Sequence, residues 1–275
     1  MTSDLRFPDI ELLSESTLVS GGANGVVALE QSAAWWVESG EVDVFIIPQT
    51  PAARFYLYTV PAEGWIFGVP SSIETDALRL IAVPHPGSRL RQVSMASMDQ
   101  WTKTGHHRRL VADALDRWLL LVGRGIGDHG SVGGRVLLDR RETLSLDEAD
   151  SELTISQGVV WIEGEGGRFM GQNEPGPSGS WHAITPYTHF KNDRPLTVRS
   201  RPTLEVISGG LDQNETVCQF MVQVRQCAAR HVQTLVNDRT HDLFNTYQRD
   251  SQQFAHSLKS LSVLEAGDPV DDMKT

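Results

Sequence analysis

The sequence predicts a mainly β protein with helices: two small β-barrels in tandem, a helical linker between them and long helices at the C-terminus. A duplicated segment predicts the tandem arrangement. Trp36-Val37-Glu38-Ser39-Gly40, leading to Phe45, is echoed by Trp161-Ile162-Glu163-Gly164, leading to Phe169. Short alternating runs broken by turn residues around both copies predict strands. A switch to three-and-four spacing between Met98 and Leu121, and again after Leu211, predicts the helices.

In the first half, Trp35 to Ile47 alternates around Gly40, Phe55 to Val60 alternates aromatic with apolar residues, and Leu78 to Val83 is an apolar run bounded by Pro84 and Pro86. Several short strands at such spacing make a small barrel or sandwich, here placed over residues 1–94. Leu110, Ala114, Leu115, Trp118 and Leu121 then form one helical stripe. The linker is drawn over 95–130 and includes a stretch dense in glycine, Gly123 to Gly134, expected to act as a hinge.

The second barrel is placed over 131–210. Its candidate strands are Arg135 to Leu138, Leu153 to Ile155, Val159 to Glu163, Leu196 to Arg199 and Thr203 to Ile207, and the breaker-rich Asn173 to Gly179 is a loop. From Leu211 to Ala266 there is no glycine or proline. Val217, Met221, Val224, Ala228, Val232 and Leu235 form one stripe, and Leu243, Tyr247, Phe254, Leu258 and Leu261 a second. A single helix of that span would exceed about 75 Å, so residues 211–266 read as a helical connector that either breaks near Asn237-Asp238 or projects. Residues 267–275 are a polar tail.

The chain has 275 residues, a hydrophobic fraction of 40% and a formal net charge of -11. That charge repels a phosphate backbone and argues against nucleic acid as a partner. No apolar run approaches the roughly 20 residues of a membrane span. The N-terminus lacks the basic start and apolar core of a secretory signal. Cys218 and Cys227, about 13 Å apart along a helix and on opposite faces, are not placed for a disulfide, which fits a reducing cytoplasm.

No residues read as catalytic, cofactor-binding or metal-binding. The Gly123 to Gly134 stretch lacks the Lys-Ser or Lys-Thr of a nucleotide loop. His106-His107, His182 and His189 lack the His-x-His core with which a cupin gathers its metal, and read as structural or solvated. Ser180-Trp181-His182 places neighbours on opposite faces of a strand, and the acidic Asp147, Glu148, Asp150 and Glu152 lack the order of a calcium loop. Large aromatics fill small barrels but also line grooves. Trp35, Trp65, Phe67 and Trp181 are the candidate surface for a peptide or ligand, with Trp35 expected to lie outside the first core, and Trp36 and Trp161 to hold the two cores together.

Phe67-Gly68-Val69-Pro70, followed by Ala77 to Val83, resembles the phosphate-binding cassette region of cyclic-nucleotide-binding domains, whose barrel is a double-stranded β-helix. In that family a glutamate after Phe-Gly takes the ribose hydroxyl and a later arginine pairs with the cyclic phosphate. Here Val69 stands at the glutamate position, and Ile73-Glu74-Thr75-Asp76 offers acids where a basic partner belongs. The resemblance implies the fold without the usual ligand.

Trp36 to Phe45, Gly64 to Pro70 and Gly158 to Glu163 together resemble the N-terminal cytoplasmic region of ABC transporters that export bacteriocins with NHLP-type leader peptides. In that family two degenerate cyclic-nucleotide-binding-like or cupin-like units precede a helical connector, a membrane domain and an ATPase domain. The resemblance spans roughly Leu18 to Leu264 and includes neither of the last two domains. It implies a non-catalytic accessory or regulatory module at the inner face of the bacterial plasma membrane. Its expected partners are the transporter's membrane or ATPase domains and a leader peptide, with oligomerisation through the C-terminal helices. The alternative is a pair of small-molecule or nucleotide sensor domains with a non-standard ligand site.

Overall fold

The computed structural model describes residues 16–20, 25–29, 33–48, 54–68, 78–127, 135–138, 143–149, 151–163, 167–169 and 181–210, with helical positions 217, 220, 221, 223, 224 and 226–237. Contacts divide the chain into two units, Met1–Ala229 and Arg230–Thr275. In the second unit the described positions 230–237 are helical, and Gln233 Nε2 donates to Asn237 Oδ1 at 3.0 Å. The first unit carries all the sheet structure among the described residues.

Its first half runs β1 (Thr17–Ser20), β2 (Val27–Ala28), β3 (Ala33–Ser39), β4 (Glu41–Pro48), β5 (Phe55–Pro61), β6 (Trp65–Phe67), β7 (Leu78–Pro84) and β8 (Arg89–Ser94). These form two four-stranded antiparallel sheets, in the orders β1-β8-β3-β6 and β2-β7-β4-β5. Alternation decides the faces: Val42, Val44 and Ile46 of β4 are buried while the residues between them are half-exposed. Gly40, at φ 80°, turns β3 into β4 where a Cβ would strike Ser88. The Ser88 hydroxyl fastens that corner, donating to the Glu41 carbonyl at 2.8 Å and accepting from its N–H at 3.0 Å.

Helix α1 (Met95–Thr102) starts on Ser94, whose Oγ accepts from the Ser97 N–H at 3.0 Å. Helix α2 (Gly105–Ile126) buries Leu110, Ala114, Leu115 and Trp118 of the stripe expected from their spacing, while its fifth member, Leu121, is half-buried and the neighbouring Val122 is buried instead. Both helices cover the first half: Trp101 of α1 meets Trp65 edge-on at 6.3 Å, and Trp118 of α2 meets Phe67 at 5.5 Å.

The second half runs β9 (Arg135–Leu137), β10 (Thr143–Leu146), β11 (Glu152–Thr154), β12 (Val160–Glu163), β13 (Gly167–Phe169), β14 (Trp181–Ile184), β15 (Phe190–Asn192), β16 (Leu196–Arg201) and α3 (Thr203–Val206). Its sheets are ordered β10-β16-β12-β14 and β13-β15-β11-β9. The first of these repeats β1-β8-β3-β6 strand for strand, so the two copies of the Trp-x-Glu segment occupy equivalent strands, β3 and β12. The other sheet differs at both edges among the described residues: β9 pairs with β11 in parallel at one, and no strand stands beyond β13 where β5 stands beyond β4.

Several expectations are corrected. Among the described residues each half is a pair of open sheets, not a closed barrel, because the hydrogen-bond ladders stop between the sheets. The edge at β5 is sheltered by α2 instead, with Gly125 set against the Leu57 carbonyl. Thr203 to Ile207 is not a strand: Thr203–Val206 is a helical turn followed by a 3-10 turn, Ile207–Gly209. Pro202 precedes it and Glu205 sits in its first turn, both helix-start features.

Nor do Gly123 and Gly125 belong to a hinge, since both lie inside α2 where backbone or side chains approach too closely for a Cβ. Gly127 ends that helix against the Tyr187 carbonyl, and residues 128–134 lie outside the described set, as do the 173–179 loop, Cys218 and the second helical stripe. No helix among the described residues is long and apolar enough to cross a membrane.

Candidate functional site

Trp35, Trp65 and Phe67 are 1%, 3% and 1% exposed, so three of the four residues expected to form a surface lie in the core. Trp35 shares its face of β3 with Ala33 and Val37, both buried, and it is Trp36 that is half-exposed. Trp36 shares its face with Glu38, whose carboxylate lies 3.4 Å from Arg89 and 3.3 Å from Arg91 on β8. Trp181 alone of the predicted four is partly exposed, and Arg201 of β16 stands over its ring at 5.0 Å.

The repeat therefore has a second part. Arg89-Leu90-Arg91 on β8 and Arg199-Ser200-Arg201 on β16 stand beside the two Trp-x-Glu segments, with Trp36 opposite Arg91, Trp161 opposite Arg201 and Glu163 opposite Arg199. Arg-x-Arg is visible in the sequence at both places, and its pairing with Trp-x-Glu becomes evident only through the register.

Trp161, with no exposed surface, is buried as expected. Its Nε1 donates to the Thr203 hydroxyl at 2.9 Å, and that hydroxyl donates in turn to Asp116 of α2 by a short hydrogen bond. Two positions further along the same helix, Trp118 Nε1 donates to the buried Tyr58 hydroxyl of β5 at 3.1 Å. Burial raises the Tyr58 pKa above its ordinary value against the opposing Trp118 hydrogen bond, so the phenol keeps its proton. At its C-terminal end α2 meets the second half again, where Gly123 packs on Thr185 and Thr188. Those threonines close the β14–β15 connection: the Thr188 hydroxyl accepts from the Thr185 N–H at 2.8 Å, and the Thr188 N–H donates to the Thr185 carbonyl at 3.1 Å.

The interior of the second half is aromatic with one polar group in it. His182 of β14 has no exposed surface and lies against Phe169 of the facing sheet at 5.3 Å, nearly parallel, and against Phe190 at 5.5 Å. Its Nδ1 is 2.8 Å from Gln223 Oε1 on the C-terminal helical segment. A side-chain carbonyl only accepts, so Nδ1 carries the proton and Nε2 the lone pair. Nε2 is buried and has no hydrogen-bond partner among the described residues. Burial pushes the His182 pKa down to about 4, with the Gln223 hydrogen bond opposing, and the ring is neutral near pH 7. Phe220, one turn before Gln223, meets Trp161 at 4.9 Å and Phe169 at 5.7 Å.

The other singled-out groups lie apart from this interior. His106 is exposed at the start of α2, and His107 Nδ1 is 2.7 Å from the Thr104 hydroxyl. His189 Nδ1 is 3.5 Å from Glu152, which is buried rather than part of a solvated acidic turn. Just after β7, His85 Nε2 is 2.8 Å from Asp43 of β4, whose other oxygen accepts from the Thr59 hydroxyl of β5 at 2.6 Å. Among the described residues no three His, Cys, Asp or Glu side chains are placed to hold a metal ion. The segment from Val69 to Ala77 lies outside the described residues.

No family profile and no curated protein matches the chain. Among solved structures it is similar to oxidized CprK in complex with o-chlorophenolacetic acid, at 13% identity and a TM-score of 0.30 over 38% of this chain and 44% of that one. It therefore spans less than half of the CprK chain. It is also similar to the cAMP-bound regulatory domain of Toxoplasma gondii PKA, at 11% identity and a TM-score of 0.18 over 74% and 79% of the two chains. A further similarity is to the guanosine-bound regulatory subunit of a cAMP-independent protein kinase A from Trypanosoma cruzi, at 10% identity and a TM-score of 0.21 over 82% and 80%. None of these scores is high enough to assign a fold or a ligand.

Proposed function

We propose that this chain is a non-catalytic regulatory module, made of two degenerate cyclic-nucleotide-binding-like units, that binds a small molecule and passes the effect to its helices. The observation that carries this reading is the double anchoring of α2. Buried hydrogen bonds tie the helix to Tyr58 in the first half and, through Thr203, to Trp161 in the second. A change in either half that moved its anchor would act on the other through one rigid element. The repeated order of one sheet in each half, and the sequence resemblance around Phe67-Gly68, support the assignment of the units.

A thermal-shift series with cAMP, cGMP, AMP and guanosine at millimolar concentration tests it. Ligand at about 100 times its Kd stabilises by about 2.7 kcal/mol, which for a protein of this size raises Tm by several degrees. A flat response to every compound would count against the sensor.

A second reading makes the same module an accessory of a bacteriocin exporter at the inner membrane face, with transporter domains or a leader peptide as partner. Its support is the Trp-Val-Glu-Ser-Gly and Phe-Gly-Val-Pro resemblance. Calorimetric titration with NHLP-type leader peptides tests it, and absence of heat at high peptide concentration would remove the leader-binding part.

A further inference from the structure

We infer that the C-terminal helical segment is the resident occupant of the second half's interior, and that a small molecule binds there only when Phe220 and Gln223 withdraw. This rests on the sensor reading and adds to it the site, the class of ligand and the means of control.

Phe220 and Gln223 are one turn apart on the same helix face, so one displacement removes both. Gln223 supplies the hydrogen bond to the buried imidazole at 2.8 Å. Phe220 covers Trp161 and Phe169 with its ring. The β14–β15 connection cannot do either job, because its threonines close on each other and on Gly123 of α2. The helix thus stands where an external ligand would make its contacts.

What would replace it follows from what it leaves. A neutral imidazole offers one N–H donor at Nδ1 and one acceptor at Nε2, and Nε2 lacks a partner among the described residues even with the helix in place. Its apolar surroundings are the Phe169 and Phe190 rings, cross-strand partners on the facing sheet. A flat, uncharged heteroaromatic ring whose acceptor takes the place of the Gln223 carbonyl at Nδ1 matches these surroundings, and a donor elsewhere on the ligand can serve Nε2. A charged group does not, since a neutral imidazole packed on phenyl groups gives it no counter-charge.

Guanosine, whose base is neutral and flat and carries both donors and acceptors, is the probe. It is titrated by calorimetry into wild type, Phe220→Ala and the milder Phe220→Leu, and amide hydrogen exchange is followed over residues 217–229. Freeing the interior should tighten guanosine binding by about tenfold or more in Phe220→Ala, with a smaller gain in Phe220→Leu, because a docked helix reduces the fraction of competent protein. Guanosine should speed exchange at 217–229 in wild type, and His182→Phe should abolish binding in every background.

Affinity unchanged by either Phe220 variant, or guanosine bound with no change in exchange at 217–229, overturns the competition. No binding to Phe220→Ala overturns the ligand class. The sensor reading fails separately, when none of the compounds in the thermal-shift series stabilises wild type or Phe220→Ala.

Discussion

The indole of Trp161 and the hydroxyl of Thr203 meet at 2.9 Å in the buried interior of the second half. The same hydroxyl reaches Asp116, so a residue of the duplicated segment is connected to the helix that follows the other half. Thr203→Val keeps the shape and removes the acceptor. The buried Trp161 N–H then loses its partner, and stability should fall by about 1–3 kcal/mol. Urea unfolding measures this, and an unchanged midpoint would mean that the N–H finds another acceptor.

Gly167 lies under the Phe190 ring, where an added Cβ would overlap it. Gly167→Ala should therefore destabilise by about 1–3 kcal/mol through overpacking. In the double variant Gly167→Ala with Phe190→Leu, the two effects should be less than additive, because the smaller side chain yields the space. Strict additivity in a double-mutant cycle would show that the backbone moves instead.

His182 sets a pH dependence whose sign follows from its lowered pKa. The unfolded imidazole gains a proton as pH falls below about 6.5, while the folded one stays neutral down to about 4. Its contribution is complete above about pH 6.5 and is lost between there and about 4, on the order of 3 kcal/mol in all. Unfolding free energies of wild type minus His182→Phe across that range should show this slope, and parallel curves would contradict it.

His85 behaves oppositely. The hydrogen bond to Asp43 raises its pKa, with smaller support from the charges of Asp43 and Glu41. Its stabilising contribution is present below about pH 6.5 and is lost as pH rises through the folded value. An NMR titration should place the His85 midpoint above the ordinary histidine value. Asp43→Asn should bring it back down, and an unmoved midpoint would break the assignment.

Much of the strand order was legible because β-branched and aromatic runs sat between turn residues, as in β3, β4, β5 and β7. Strands of two to four residues, such as β2, β6 and β13, are too short to display a period, and tertiary pairing alone defines them. Thr203 to Ile207 misled because its β-branched residues favour a strand, whereas Pro202 and packing near α2 made it a helical turn.

The choice between Trp35 and Trp36 was decidable from neighbours two positions away: Ala33 and Val37 accompany Trp35, and Glu38 accompanies Trp36. His182 gave no sign of its buried hydrogen bond, since its partner Gln223 is 41 positions away. The glycines of α2 were misread because a residue without Cβ serves flexibility and close approach equally well in sequence, and only the neighbouring backbone tells which.

Gly125 presses α2 onto one half while Gly123 and Gly127 press it onto the other. A chain cut after Ile126 would leave the second half without Asp116 and the surface its threonine turn rests on, and the first half with an uncovered stretch of helix. Once a duplicated unit shares a helix in this way, neither copy can be deleted, shuffled or expressed alone without taking part of the other's interior with it.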